Sequence, residues 1–558
     1  MKTNRALWLF SCLLSILIFS ITSAALGMYL DDNEAIVAAI NYGVLGEVSN
    51  EQYWSDYHTF LLPLLYKLSS ALPYIPVFGV WKMSFVVLIN VLVIRIGLGE
   101  LKGLDKHSRI VGFVILPLVC LIIVADNQLH LHCIRHSVML SFLAFLLNYQ
   151  KIREQGKTSI TAIFIFFIAA NTRSHSSALM LGGFTVFLFF SGTPILRIVR
   201  HYSAMLLIVL GFLGAYQIYG KYTPNMGKYI EAHYEYALIE KQSLYPLSHM
   251  KTARDSAKYL AISNFFITDS AELTIPFFDR VANIKYEQEE IFTQQRFLAA
   301  IEELKVKNRS VFPLLVLMFL PLLGWTNKNV RRAGTAKTIT LIIVSSIVIF
   351  SLLLILVDDM KLRFYSPFVS VIAFSIIIFH LSAFLKYSGP WRKYISIILL
   401  LSITIWQFWN LRNEASFLAA KECQTQKQIS HFHAFTSKHP VLMFMGSDIP
   451  FSTNPFYRSS TALYPKLASF DGGYLIYFSY ARGRFEKLFG VSPIDFPAVI
   501  NMLRSRDDIV FYIAKERLDI INQYFQVVYK VKFKVSPIIP KPPLDFNAGV
   551  FFVSVEEI

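Results

Sequence analysis

The chain is poor in charge and in cysteine. Only 16% of its 558 residues are charged, against roughly a quarter in soluble domains. Its four cysteines include no C-x-x-C pair and no zinc-ribbon spacing, which excludes a disulfide scaffold and a structural zinc module. Cys12 and Cys120 fall in apolar runs, and Cys133 and Cys423 would pair only if the fold joined them. There is no internal repeat and no low-complexity tract. The glycine-bearing stretches "FMGSDIP" and "SFDGGYL" lack phosphate-loop spacing and read as turns.

What is present is apolar surface. The composition is 54% hydrophobic and 15% aromatic, with a mean hydropathy of +0.48. Several runs approach the roughly 20 residues that cross a bilayer as a helix. We read eleven spans, at about 6–28, 78–98, 109–125, 136–150, 158–172, 176–193, 203–219, 311–325, 338–357, 364–385 and 394–410. The pair around Arg173 also fits a re-entrant hairpin. The N-terminal run lacks a small-x-small cleavage site and reads as a retained first helix rather than a signal peptide.

The net charge of +16 would suit a nucleic-acid binder, but its location rejects that partner. The cations gather in segments on one side: Lys2, Arg5, Arg95, Lys102, Lys106, Arg109, Lys151, Arg153, Lys157, Arg197, Arg200, Lys328, Arg331, Arg332, Lys337, Lys386, Arg392 and Lys393. Only Glu100, Asp105 and Glu154 offset them. Nearly the whole excess therefore records orientation by the positive-inside rule. The N-terminus is expected in the cytoplasm and the C-terminus outside.

The expected architecture is a polytopic α-helical membrane protein with a C-terminal extracytoplasmic α/β domain. Residues 1–410 form the transmembrane part, with outer loops at 29–77 and 220–310, and 411–558 form the domain. "YHTFLLPLLYKLSSALPYIP" has the pattern of an interfacial helix. "PVLMFMGS", "DIVFYIAK", "FQVVYKVKFKV" and "GVFFVSVEEI" read as strands, and "ERLDIINQYF" as a helix.

The chemistry-bearing residues collect at the outer ends of the spans. Directly after span 1, "YLDDNEA" places Asp31, Asp32 and Glu34 within four positions. One of the aspartates can cap the helix that follows, which leaves the other available as a base. After span 3, "ADNQLHLHCIRHS" carries Asp126, His130, His132, Arg135 and His136. Between spans 5 and 6, "NTRSHSS" carries Arg173 and His175, and between spans 9 and 10, "VDDMKLRFYSP" carries Asp358, Asp359, Lys361 and Arg363. Outer loops are ordinarily poor in cations, yet three very short ones each hold an arginine. Arginine binds phosphate oxygens in a bidentate way, though each of these could also snorkel to head groups or pair with a neighbouring aspartate. The three histidines have a spacing a zinc site could use, but on a helix His132 points away from the other two. The aromatics Tyr53, Trp54, Tyr57, Tyr245 and Tyr259 fit either an interfacial belt or sugar stacking.

This layout resembles the GT-C class of membrane glycosyltransferases. The resemblance rests on the acid in "YLDDNEA", a second acid in "ADNQLH", and arginines in "NTRSHSS" and "KLRFYSP". It implies transfer of a sugar from a polyprenyl-phosphate carrier to a glycan, lipid or protein acceptor during cell-envelope polysaccharide assembly; the low cysteine content and compact outer loops fit a bacterial inner membrane, with the membrane of a eukaryotic ER as the alternative. Asp31 or Asp32 would take the acceptor proton. Asp126, His132, Arg135, His136, Arg173, His175, Lys361 and Arg363 would hold substrate, and the arginines would stabilise the leaving phosphate. A divalent cation, magnesium or manganese, held by Asp31 and Asp32 is an alternative to a pure base. Two other functions fit the polytopic plan. An O-antigen-type polymerase or ligase carries its arginines in large outer loops, whereas here they sit in tight turns. A transporter or flippase keeps ionisable residues within its spans, whereas these spans read as nearly charge-free.

Overall fold

The apolar runs fold as long helices because a backbone in lipid must satisfy its own hydrogen bonds. The computed structural model describes residues 2–44, 61–190, 193–222, 247, 250–263, 266, 269, 272–286, 311–318, 365–444, 451–458, 463–471, 479–537 and 548–557. The membrane bundle contains α1 (Lys2–Leu26), α4 (Val77–Glu100), α5 (Lys106–Leu129), α6 (Cys133–Gln155), α7 (Ile160–Thr172), α8 (Ser174–Phe190), α9 (Ile195–Tyr222), α12 (Val311–Met318), α13 (Tyr365–Tyr387) and the first half of α14 (Pro390–Lys438). Between α1 and α4 lie α2 (Asp32–Asn41) and α3 (Leu61–Ala71). Six helices among the described residues are long and apolar enough to cross a membrane. At 13 residues, α7 is about 20 Å long, short of the roughly 30 Å hydrocarbon core. The expected span at 338–357 lies outside the described residues.

Lipid-facing surface is visible in the exposed Leu9, Leu13, Ile16 and Leu17 of α1 and in Ile398, Leu401, Ile405 and Trp409 of α14. The inward faces of α4, α5 and α6 pack into one continuous apolar core. The cationic ends assigned to one side do meet. Arg153 pairs with Glu100 at 2.5 Å, Lys102 with Glu154 at 3.4 Å, and Lys393 donates to Ser108 at 2.7 Å.

At the other end of α4 sits a mixed sheet. Its strands are β3 (Val441–Phe444), β4 (Leu467–Asp471), β5 (Val510–Ala514), β6 (Val531–Pro537) and β7 (Ala548–Glu557), in the order β4-β3-β5-β7-β6. The two pairings that β3 makes, with β4 and β5, are parallel, and β7 runs antiparallel to β5 and β6. Two features differ from the sequence expectation. "FQVVY" closes the helix α17 (Lys515–Tyr529) before the strand begins, with Lys530 in the left-handed region at its end. "SFD", expected in a turn, completes β4.

Alternation along the strands assigns the two faces. Leu442, Phe444, Phe511 and Ile513 join one core with α10 (Ala253–Ser263), α11 (Ile275–Tyr286), α15 (Ser479–Phe489), α16 (Phe496–Arg504) and α17. Val441, Met443, Val510 and Tyr512 join a second core with Met28, Leu30, Ala35, Ile36, Ala39 and Phe78. The described residues within 250–286 therefore pack on the sheet through Tyr259, Phe266 and Phe278. Tyr259 is a core residue at 1% exposure, not a surface stacking platform.

No linker separates the bundle from the sheet. The 49 residues of α14 make a helix of about 73 Å, more than twice the hydrocarbon thickness. The position between 410 and 411 lies inside this one helix. Its far half carries Glu422, which is buried and takes the Thr453 N–H at 2.7 Å, Thr453 Oγ1 at 2.8 Å and the Ser452 hydroxyl. Thr453 in turn accepts the Leu30 N–H at 2.6 Å. All four cysteines are free.

Candidate active site

One short backbone ladder brings distant segments together. The residues after α1 form β1 (Tyr29–Leu30), which pairs parallel with β2 (His130–Leu131) after α5. This two-residue bridge sets "YLDDNEA" beside "HLHCIRH". Asp31 N–H also reaches the Leu131 carbonyl at 3.4 Å.

Asp31 occupies the N-cap position of α2, where its carbonyl accepts the Ala35 N–H at 2.8 Å. Asp31 itself is half-buried. Asp32 opens α2, and its side chain lies outside the described residues. One turn on, Glu34 points inward at 1% exposure. Its Oε2 lies 2.5 Å from Lys82 Nζ, and its Oε1 accepts the Cys133 N–H at 2.6 Å. The Lys82 contact is ionic rather than a well-aligned hydrogen bond.

Lys82 stands in the second turn of α4 and is fully buried. It corrects the reading of the spans as nearly charge-free. Neither Glu34 nor Lys82 was singled out as a site residue from sequence. The available signal was a lone lysine in the apolar run "VFGVWKMSFVV", since an ionisable group at membrane depth marks function by default.

On α6, His132 is the N-cap, its Nδ1 accepting the Ile134 N–H at 3.1 Å. Arg135 is buried and forms an ion pair with the buried Asp126. His136 is fully buried, its ring 5.4 Å from that of Phe85. The charges of Lys82 and Arg135 both act at this imidazole, and those of Lys82 and Arg173 both act at Cys133. Arg173 caps α7 and is half-buried, its carbonyl accepting Ser137 Oγ at 3.0 Å.

Asp31, Asp126, His132, Arg135, His136 and Arg173 thus gather around the Glu34–Lys82 pair. His175 is exposed on α8. Lys361, Arg363, Asp358 and Asp359 lie outside the described residues, as do Tyr53, Trp54, Tyr57 and Tyr245.

Lys82 and Arg135 each have a carboxylate beside them, yet polar atoms remain unspent. Arg135 Nε and both ring nitrogens of His136 have no hydrogen-bond partner among the described residues. Such groups call for a ligand or ordered water. Burial first and the Glu422 carboxylate second raise the Tyr29 and Tyr457 phenols, so both stay neutral hydrogen-bond donors.

Two sets of three side chains place metal-ligating atoms within 4.8 Å of one another among the described residues: Glu34 with His132 and Cys133, and Asp126 with His130 and Glu414. The first fits a cation poorly. Both Glu34 oxygens are already engaged, one by Lys82 and the other by the Cys133 N–H.

No protein-family model matches the chain, and no curated protein matches it. Among solved structures, ArnT from Cupriavidus metallidurans bound to undecaprenyl phosphate aligns over 97% of both chains, with 10% identity and a TM-score of 0.39. The same protein in the apo state aligns over the same shares, with 11% identity and a TM-score of 0.38.

Proposed function

We propose that the protein is a membrane glycosyltransferase of the GT-C type. It moves a sugar from a polyprenyl-phosphate-linked donor to a glycan, lipid or protein acceptor at the extracytoplasmic face of a bacterial inner membrane. The observation that carries the reading is the set of buried donors on Lys82, Arg135 and His136, ringed by span ends and adjoined by the half-buried Asp31.

The chemistry follows from the charges. An acceptor hydroxyl is a poor nucleophile near neutral pH. Asp31 or Asp32 takes its proton as the oxygen bonds to the sugar C1. The bond from C1 to the carrier phosphate breaks on the opposite side, so the anomeric centre inverts. The phosphate leaves with a developing negative charge, which Arg135 and Arg173 receive with Lys82 and His136 in a site shielded from water. Glu34 and Asp126 hold those cations in position until the phosphate arrives.

A divalent cation held by Asp31 and Asp32 remains the alternative to a carboxylate base.

The test is mass spectrometry of lipid-linked and surface glycans in cells lacking the protein, complemented with wild type, Asp31→Asn or Asp32→Asn. Loss of one sugar from an otherwise intact glycan, unrestored by at least one variant, supports transfer. Collapse of long chains to single repeats overturns it in favour of a polymerase.

A further inference from the structure

The second metal-ligating set belongs to neither the acid loop nor the Lys82 pair. Asp126 lies in the last turn of α5, and His130 is the residue that caps that helix. The His130 N–H still donates to the Asp126 carbonyl, which holds the two residues close although His130 itself is extended and opens β2. Glu414 comes from α14, across a small apolar seam formed by Ala125 and Leu129 of α5, Leu411, Ala415 and Leu418 of α14, and Leu26 of α1. That seam fixes the distance between the two helices.

The ligand atoms converge. His130 Nε2 lies 2.9 Å from Glu414 Oε1, and all three ligand atoms fall within 4.8 Å. Ligands about 2.0–2.2 Å from a tetrahedral zinc stand about 3.3–3.6 Å apart, so small side-chain adjustments bring these three to ligating distance and leave the fourth position to water. Two carboxylates this close repel each other, and one of them is nearly fully buried at 2% exposure.

We propose that Asp126, His130 and Glu414 form a divalent-cation site of the zinc or manganese class that fastens α14 to the outer end of α5. Two carboxylates and one imidazole suit these ions. A cation here also fixes the Asp126 carboxylate that holds Arg135, so it acts on the neighbouring site through a ligand's second contact. Its role is positioning, and its occupancy does not depend on which reaction the protein performs.

The experiment uses the full chain in detergent, freed of any polyhistidine tag and stripped with EDTA. Zinc or manganese chloride is added, excess ion is removed by gel filtration, and bound metal is measured by elemental mass spectrometry alongside the thermal unfolding temperature. Wild type is expected to retain one equivalent and to unfold at a higher temperature with it. Glu414→Gln and His130→Gln should lose both effects, while Cys133→Ser keeps them. Glu414 is partly exposed, so Glu414→Gln decides the matter if His130→Gln fails to accumulate. Absence of stoichiometric metal in wild type makes a protonated His130 the bridge and overturns the proposal. Retention by Glu414→Gln with loss in Cys133→Ser moves the metal to the Glu34 set and overturns it equally.

Discussion

Glu34 and Lys82 meet at 2.5 Å with neither side chain reaching solvent, joining the helix after the first span to the start of the second. Removing one partner of a buried pair strands the other charge, at a cost of about 3–5 kcal/mol. Glu34→Gln is therefore expected to lower the unfolding temperature of the detergent-solubilised protein sharply. Replacing both partners, Glu34→Leu with Lys82→Met, should recover most of that loss. The double variant should still fail to transfer sugar, because the phosphate has lost its lysine. A double variant as unstable as the single one would show that the pair is not the source of the effect.

The two loop aspartates are expected to separate chemistry from folding. Asp31 is half-buried, and Asp→Asn keeps size and hydrogen-bonding capacity while removing the basic lone pair. Turnover by the variant that lacks the base should fall about 10²–10⁴-fold, with normal accumulation in the membrane. Full activity in both variants would reduce these acids to a helix cap.

Arg135 has spare donors as well as its Asp126 partner. Arg135→Lys keeps the charge but loses the planar fork, so binding of a polyprenyl phosphate should weaken about 10-fold, on the order of 1.4 kcal/mol. Equilibrium binding of the carrier lipid checks this directly. Unchanged affinity would place the phosphate elsewhere.

Gly79 tests the docking of the sheet on the bundle. A Cβ there would run into the backbone carbonyl of Pro455, whereas a Cβ on Gly182 in α8 would meet nothing. Gly79→Ala should destabilise the protein by about 1–3 kcal/mol through overpacking against backbone. Gly182→Ala should be neutral or stabilising by up to about 1 kcal/mol. Parallel thermal unfolding of the two variants gives the comparison.

Asp269 predicts an alkaline limit. It is fully buried, and it accepts hydrogen bonds from Tyr524 at 2.6 Å and from Tyr529. Burial first, then the Asp269 carboxylate, pushes both phenols well above their usual value of 10.0. A raised folded-state value means this stabilisation is complete below about pH 10 and is lost as pH rises beyond it. The wild-type unfolding temperature should fall above that pH more steeply than that of a variant with Tyr524→Phe and Tyr529→Phe. Equal slopes would remove the latch from the account.

Much of the architecture was legible locally. Length and continuity of the apolar runs mark helices such as α4 and α5, because hydrocarbon tolerates little else. Alternation in "PVLMF" and "DIVFYIA" marks strands, because successive side chains face opposite sides of a sheet. The boundary inside α14 was less legible, because a helix leaving the membrane needs no break, only a change in what covers it. The β4 strand was missed because "SFDGG" carries turn residues directly after its buried half.

The sequence by itself determined that the chain enters the membrane, which ends of its helices carry basic residues, and that acids and arginines collect at the other ends. Those properties follow from one-dimensional patterns of hydropathy and charge. Tertiary structure alone decided which of these residues meet. The ladder between Tyr29–Leu30 and His130–Leu131 joins segments a hundred residues apart, and no local pattern specifies such a partner. Beside the same ladder, Glu34 is turned inward to Lys82 and Asp31 stays half-buried. Two acids that look alike in "YLDDNEA" thereby acquire different environments, and environment sets what a carboxylate can do.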